Sequence, residues 1–142
     1  MTRLNLVPPQ ELMDQHLFAE WREIKMVPKS LARSLKARGE LGVLKIIPSE
    51  FTLNTGHVSF FYDKGFYLVK RYNQLTAELK LRDYNFNSDA PLDPDYLFRS
   101  LPSRFQYDYE PTWEALKLIR ERIALRIAQR PDWYRMHGGL RQ

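Results

Sequence analysis

Apolar residues early in the chain recur at helical spacing. Met13, Leu17, Trp21 and Ile24 fall at i, i+4, i+8 and i+11, which stacks them on one helical face. The pattern predicts a helix over about 14–38, with Asp14 as N-cap and an end near Gly39. Pro28 lacks a backbone donor and clashes with the preceding turn, so it should kink or split that helix. A second stripe, Leu68, Tyr72, Leu75 and Leu79, predicts a helix over about 65–82. A third, Leu116, Ile119, Ile123 and Ile127, predicts a helix over about 112–129, with Thr112 as N-cap and Pro131 as stop. The connections are rich in Pro, Asn, Asp and Gly. The stretch 46–63 is ambiguous. Val58-Ser59-Phe60-Phe61-Tyr62 has strand-like composition and Asn54-Thr55-Gly56 suits a turn, so composition weighs a hairpin and coil about evenly.

The length of 142 residues suits one domain over 1–142, and a 44% hydrophobic content suits a globular core. The chain has no cysteine, which removes disulfides, thiolate ligands and a thiol nucleophile from consideration. No apolar run approaches the ~20 residues that span a bilayer, and the first residues lack the pattern of a signal peptide. A soluble, intracellular monomer is expected, in a bacterial cytoplasm or nucleoid or in the host cell of a virus. The net charge of +5 and pI near 9.5 make a polyanionic partner plausible, although the placement of the charge matters more than its total.

The usual catalytic signatures are missing. There is no phosphate-cradling or dinucleotide glycine loop and no Gly-x-Ser-x-Gly elbow. His16, His57 and His137 have no partners at metal-ligand spacing. On a helical wheel, however, His16, Glu20 and Glu23 fall along one flank of the first apolar face. They form either a wall of a polar site or an ordinary solvated helix edge. Arg122 and Arg126 share a row beside the third stripe, with Arg120 and Arg130 adding charge. Either an anion lies near them or Glu121 and other acids pair with them. The tail Arg130-Pro131-Asp132-Trp133-Tyr134-Arg135 interleaves aromatic and basic residues. That pattern suits stacking on bases with phosphate contacts, or plain packing of the two rings onto the helices.

Three collinear blocks carry a more specific signal. They are Met1-Thr2-Arg3-Leu4-Asn5-Leu6 through Glu11-Leu12, Asp14-Gln15-His16-Leu17 and Ala19-Glu20-Trp21-Arg22-Glu23; then Gly56-His57-Val58 with Phe60-Phe61-Tyr62-Asp63-Lys64; then Arg126-Ile127-Ala128-Gln129-Arg130-Pro131 with Trp133-Tyr134. Together they closely resemble the phage endonuclease V family of pyrimidine-dimer DNA glycosylases. Val27-Pro28 and Ser30-Leu31-Ala32-Arg33-Ser34-Leu35 are similar to its Chlorella-virus members.

The resemblance implies an all-α fold of three helices with long irregular connections, and therefore coil rather than hairpin over most of 46–63. It implies a DNA repair enzyme that is both a glycosylase and an abasic-site lyase, acting on double-stranded DNA with pyrimidine dimers or abasic sites. The family's nucleophile, an N-terminal α-amine that forms a Schiff base, corresponds to Thr2 after removal of Met1. Its catalytic carboxylate corresponds to Glu23. Its DNA contacts correspond to Arg3, Gln15, His16, Arg22, Arg122 and Arg126, with Trp133 and Tyr134 near the lesion. A base opposite the dimer is the one extruded. The imine acts as electron sink, so neither metal nor cofactor is expected.

The chain departs from the family in two places. A basic site three residues after the carboxylate is Met26 here, beside Lys25, and further tail tyrosines are replaced by Met136 and His137. These bear on lesion preference and affinity. The competing readings are an enzyme of the same fold acting mainly on abasic or oxidised sites, and a non-catalytic DNA-binding module.

Overall fold

The computed structural model describes residues 4–137 and 139–140. Its helices are α1 (Asp14–Glu23), α2 (Met26–Ile46), α3 (Gly65–Leu81) and α4 (Trp113–Gln129). One-turn 3-10 segments lie at Pro9–Glu11, Ser59–Phe61 and Ser103–Phe105. A two-residue antiparallel pair, β1 (Arg135–Met136) with β2 (Gly139–Leu140), closes the tail, with Arg135 opposite Leu140. The expected helical class is observed, with its three helical stretches and long irregular connections. The first stretch is divided into α1 and α2.

That division falls at Ile24 and Lys25, upstream of Pro28. Pro28 instead occupies the first turn of α2, where backbone N–H groups have no intrahelical acceptor and a missing donor costs nothing. Asp14 is not the N-cap of α1; Met13 holds that place, and no side chain caps it. The Asp14 carboxylate points inward to Arg82 and Tyr84, a stronger demand than a cap bond. Thr112 does cap α4, its hydroxyl accepting from the Ala115 N–H at 3.1 Å. Between α2 and α3 the chain is irregular apart from the single 3-10 turn, so the hairpin suggested by composition does not form.

The core lies where α1 packs across α3. Leu17, Trp21 and Ile24 meet Leu68, Tyr72, Leu75 and Leu79. Trp21 stacks on Tyr72 with ring centroids 6.0 Å apart, and its indole N–H donates to the Thr76 hydroxyl. The long connection from α3 to α4 adds Leu92, Phe98 and Phe105 to this core. Its irregular backbone is satisfied locally: the Asp93 carboxylate accepts from the N–H groups of Leu97 and Phe98, both at 2.8 Å. Helix α4 touches the core mainly through its first half. Ala115 and Ile119 are buried, whereas Leu116, Ile123 and Ile127 are only partly covered. Its second half therefore projects past the core and presents Arg122 and Arg126 elsewhere. Among the described residues, no helix is long and apolar enough to cross a membrane.

Gly39 kinks α2, with φ 72° and ψ 171°. Nothing lies within 4 Å of where a Cβ would sit, so the glycine is required by backbone conformation and not by space. Gly39→Ala should lower the unfolding free energy by about 1–3 kcal/mol. Urea denaturation checks this, and an unchanged midpoint would show that the kink is not a fixed feature of α2.

Candidate active site

The chain ahead of α1 is gripped by buried polar side chains from three parts of the fold. The Leu4 N–H donates to His57 Nε2 at 3.0 Å, and the Asn5 N–H donates to Glu20 Oε1 at 3.0 Å. Arg71, from α3, donates to the Val7 carbonyl at 2.6 Å and holds both Glu20 oxygens, at 2.7 and 2.9 Å. Glu20, Arg71 and His57 are all buried. Leu6 adopts a left-handed φ of 59°, in a tight turn where the Val7 N–H reaches the Asn5 carbonyl.

A cleft of about 210 Å³ opens beside this segment. Asn5 forms its rim, and α1 contributes His16, Ala19, Glu20 and Glu23. Helix α4 contributes Arg122, Ile123 and Arg126 from the opposite side, and Tyr134 closes the tail end. The His16–Glu20–Glu23 flank and the Arg122–Arg126 row, found separately in the sequence, thus face one another across one space.

The two glutamates of the flank differ. Glu20 is fully buried and accepts three hydrogen bonds, two from Arg71 and one from Asn5, so it is structural. Glu23 is partly exposed and has no hydrogen bond or ion pair among the described residues, which leaves its carboxylate available to a ligand.

Arg122 and Arg126 likewise have no carboxylate partner there. Glu121 approaches Lys117 at 3.9 Å, and Arg120 is bound by Glu11 at 2.8 Å. The pairing that was the alternative for the α4 row does not occur. Arg22 is exposed, its guanidinium 5.1 Å from the Phe18 ring centroid. Lys25 sits 3.2 Å from the Trp21 ring centroid, and burial, with Arg22 nearby, holds its ammonium below the ordinary lysine value. Met26, the departure from the family pattern, is half exposed.

His16 stacks on Tyr134, with centroids 4.6 Å apart and planes at 23°. Its Nδ1 is buried with no hydrogen-bond partner among the described residues. Burial first, then the charges of Arg126 and Arg122, push its pKa from 6.5 down to about 4. The ring is therefore neutral at neutral pH.

Gln15 serves the tail: its amide nitrogen donates to the Trp133 carbonyl at 2.6 Å, and its oxygen accepts from the Arg135 N–H at 3.0 Å. The two rings of the aromatic tail differ in burial. Tyr134 is buried against His16, while Trp133 is exposed, with the Arg130 guanidinium 4.4 Å from its ring centroid. His137 donates its backbone N–H to Asp14 at 2.9 Å. Thr2 and Arg3 lie outside the described residues. Among the described residues, no three His, Asp or Glu side chains gather as a metal site would require.

Sequence reasoning had not singled out Asn5, Arg71 or His57 for the site. Arg71 carried a signal, since it lies three residues after Leu68 and four before Leu75 on the buried face of α3. A charge inside an apolar stripe marks a buried pair. His57 and Asn5 lie in irregular chain, where periodicity offers nothing.

The two arginines can be separated from burial in their effect on His16. The double substitution of Arg122→Gln and Arg126→Gln should raise the His16 pKa from about 4 towards 6.5, read by NMR titration of its ring signals; an unmoved midpoint would assign the whole shift to burial. Because the folded state favours the neutral ring, the stability tied to it is complete above about pH 6.5. It is lost as pH falls towards 4.

A comparison with known families gives one match. Residues 1–92, more than half the chain, match the family model described as pyrimidine dimer DNA glycosylase. The match covers the gripped N-terminal segment and helices α1 to α3; the arginines of α4 and the tail lie beyond it and join the site through the fold. This chain belongs to the pyrimidine dimer DNA glycosylase family.

Proposed function

We propose that the cleft cuts the glycosidic bond at ultraviolet-induced pyrimidine dimers in double-stranded DNA and then nicks the strand as an abasic-site lyase. The nucleophile in this reading is the α-amine of Thr2, exposed by removal of Met1. The observation that carries it is the Glu23 carboxylate and two arginines, none of them paired among the described residues, lining one cleft beside an N-terminal segment pinned at Leu4 and Asn5. Two residues of chain reach at most about 7 Å, so an amine at residue 2 stays close to the cleft rim.

An α-amine suits the work. Its ordinary pKa of about 7.7–8.0 leaves roughly a quarter of such groups unprotonated near neutral pH, against about one lysine in a thousand. The amine nitrogen attacks C1′ of the sugar on the 5′ side of the dimer, and the glycosidic bond breaks, its electron pair leaving with the base. Opening of the sugar ring gives an imine between enzyme and C1′. Loss of a C2′ proton then expels the 3′ phosphate by β-elimination, with the imine accepting the electrons. Hydrolysis of the imine frees the enzyme.

Glu23 stabilises positive charge on the sugar as the base departs and then assists proton removal. Neutral His16 lines the cleft and helps to position the sugar or the amine. Arg3, Arg22, Arg122 and Arg126 hold phosphates flanking the lesion. Gln15 reaches the DNA together with the tail it holds, and Trp133 offers an exposed ring for stacking while Tyr134 backs His16. The extruded base lies opposite the dimer, where weakened stacking lowers the cost of distortion.

Borohydride should trap a covalent adduct on a duplex with one defined thymine dimer, mapped by mass spectrometry to Thr2. An adduct on an abasic duplex alone would point to a lyase of this fold with another lesion, and none on either would favour a DNA-binding module. Glu23→Gln should lower glycosylase turnover by about 100-fold or more while retaining DNA affinity, and substantial turnover would remove Glu23 from the mechanism. Because the imine is the electron sink, nicking should continue in EDTA; loss of nicking in chelator would contradict this route.

A further inference from the structure

Asn5 uses both of its backbone groups inside the protein. Its N–H donates to Glu20 Oε1 at 3.0 Å, and its carbonyl accepts from the Val7 N–H across the tight turn at Leu6. Glu20 is held in turn by Arg71. The residue is only 8% exposed, yet it lines the cleft together with His16, Glu23, Arg122 and Arg126. What remains to it is the side-chain carboxamide. That group makes no hydrogen bond among the described residues, and neither its nitrogen nor its oxygen is sealed from solvent. A nearly buried amide usually finds a partner within the fold, because burial without one is unfavourable. Here a fixed backbone holds such a group at the cleft with its donors and its acceptor unused.

We infer that Asn5 is a substrate-contacting residue of the glycosylase step: its carboxamide N–H donates to the O2 carbonyl of the pyrimidine that leaves C1′. The inference rests on the dimer-glycosylase reading above, but not on which group attacks C1′. When the C1′–N1 bond breaks, its electron pair goes to the base and is shared between N1 and O2. The pair of the attacking group forms the new bond to C1′. Positive charge thus grows on the sugar while negative charge grows on the adjoining base. A carboxylate such as Glu23 suits the first, and an N–H donor suits the second. An arginine donating at O2 would set a full positive charge beside the sugar and oppose Glu23. A carboxamide is neutral, so it stabilises the base without that penalty. Its backbone is already held on both sides, so little rearrangement is needed as the bond breaks. An abasic site has no base and no O2, so the lyase step makes no use of Asn5.

Two substitutions test this. Asn5→Ala keeps both backbone bonds and removes only the carboxamide. Asn5→Asp keeps the shape of the side chain and removes its N–H donors. Base loss from a duplex with one thymine dimer is read under single turnover as strand breaks after hot alkali, which cleaves abasic sites without the enzyme. Nicking of an abasic duplex is read without alkali. The ratio of the first rate to the second should fall about tenfold or more in both variants. For Asn5→Ala, abasic nicking itself should stay within about twofold of wild type. So should its affinity for a duplex with a tetrahydrofuran abasic analogue, which carries no base.

A wild-type ratio in either variant overturns the inference. Equal losses on the two duplexes give that result, since they would make Asn5 a support of the cleft and not a contact of the base. If Asn5→Ala does not fold, the ratio in the nearly isosteric Asn5→Asp decides. A wild-type protein that nicks the abasic duplex but releases no base from the dimer fails the dimer reading itself, and the inference falls with it.

Discussion

Glu20 and Arg71 meet at 2.7 Å with their side chains 0% and 2% exposed. Removing two such charges from water costs several kcal/mol per ion, and a well-packed apolar pair is often as stable or more so. What this pair supplies is geometry. It makes two parallel contacts, while Glu20 also accepts from the Asn5 N–H and Arg71 also donates to the Val7 carbonyl. An apolar replacement would fill the same space and release the N-terminal segment. The position of that segment beside α1 and the strained turn at Leu6 both depend on this buried contact.

A second buried arginine acts similarly at the other end of the α1–α3 pair. Arg82 holds Asp14 and Glu78 at 2.8 Å each and reaches the Pro9 carbonyl at 3.2 Å, while Tyr84 and the His137 N–H complete Asp14. The tail is thereby attached to the start of α1, and Gln15 extends the attachment to Trp133 and Arg135. This places Tyr134 against His16 and leaves Trp133 facing outward.

The charges divide into two populations with different consequences. Carboxylates buried under α1 neutralise Arg71 and Arg82, whereas Arg122 and Arg126 face the cleft without a counter-ion among the described residues. Their uncompensated field adds to burial in keeping His16 neutral, and it would act on any anion entering the cleft. A net charge of +5 conveys none of this, because paired and unpaired arginines count equally in it.

The helical class was legible in the sequence because the stripes of α1, α3 and α4 have strong 3.6-residue periodicity and each must be buried on one face. The Thr112 cap was legible because it is a local bond within four residues. The family resemblance lay in the order of the motifs, and it also decided against a hairpin where composition was even. Other features depended on partners far along the chain. Asp14 has the residue type of a cap, but its carboxylate is claimed by Arg82, 68 residues away. Glu20 and Glu23 share one helical flank and looked equivalent; Arg71, 51 residues from Glu20, buries one and leaves the other open. His57 reaches Leu4 across 53 residues. Periodicity reports which face of an element is buried. Which polar side chain on that face is neutralised, and which is left for a substrate, is decided only when distant elements supply the partners.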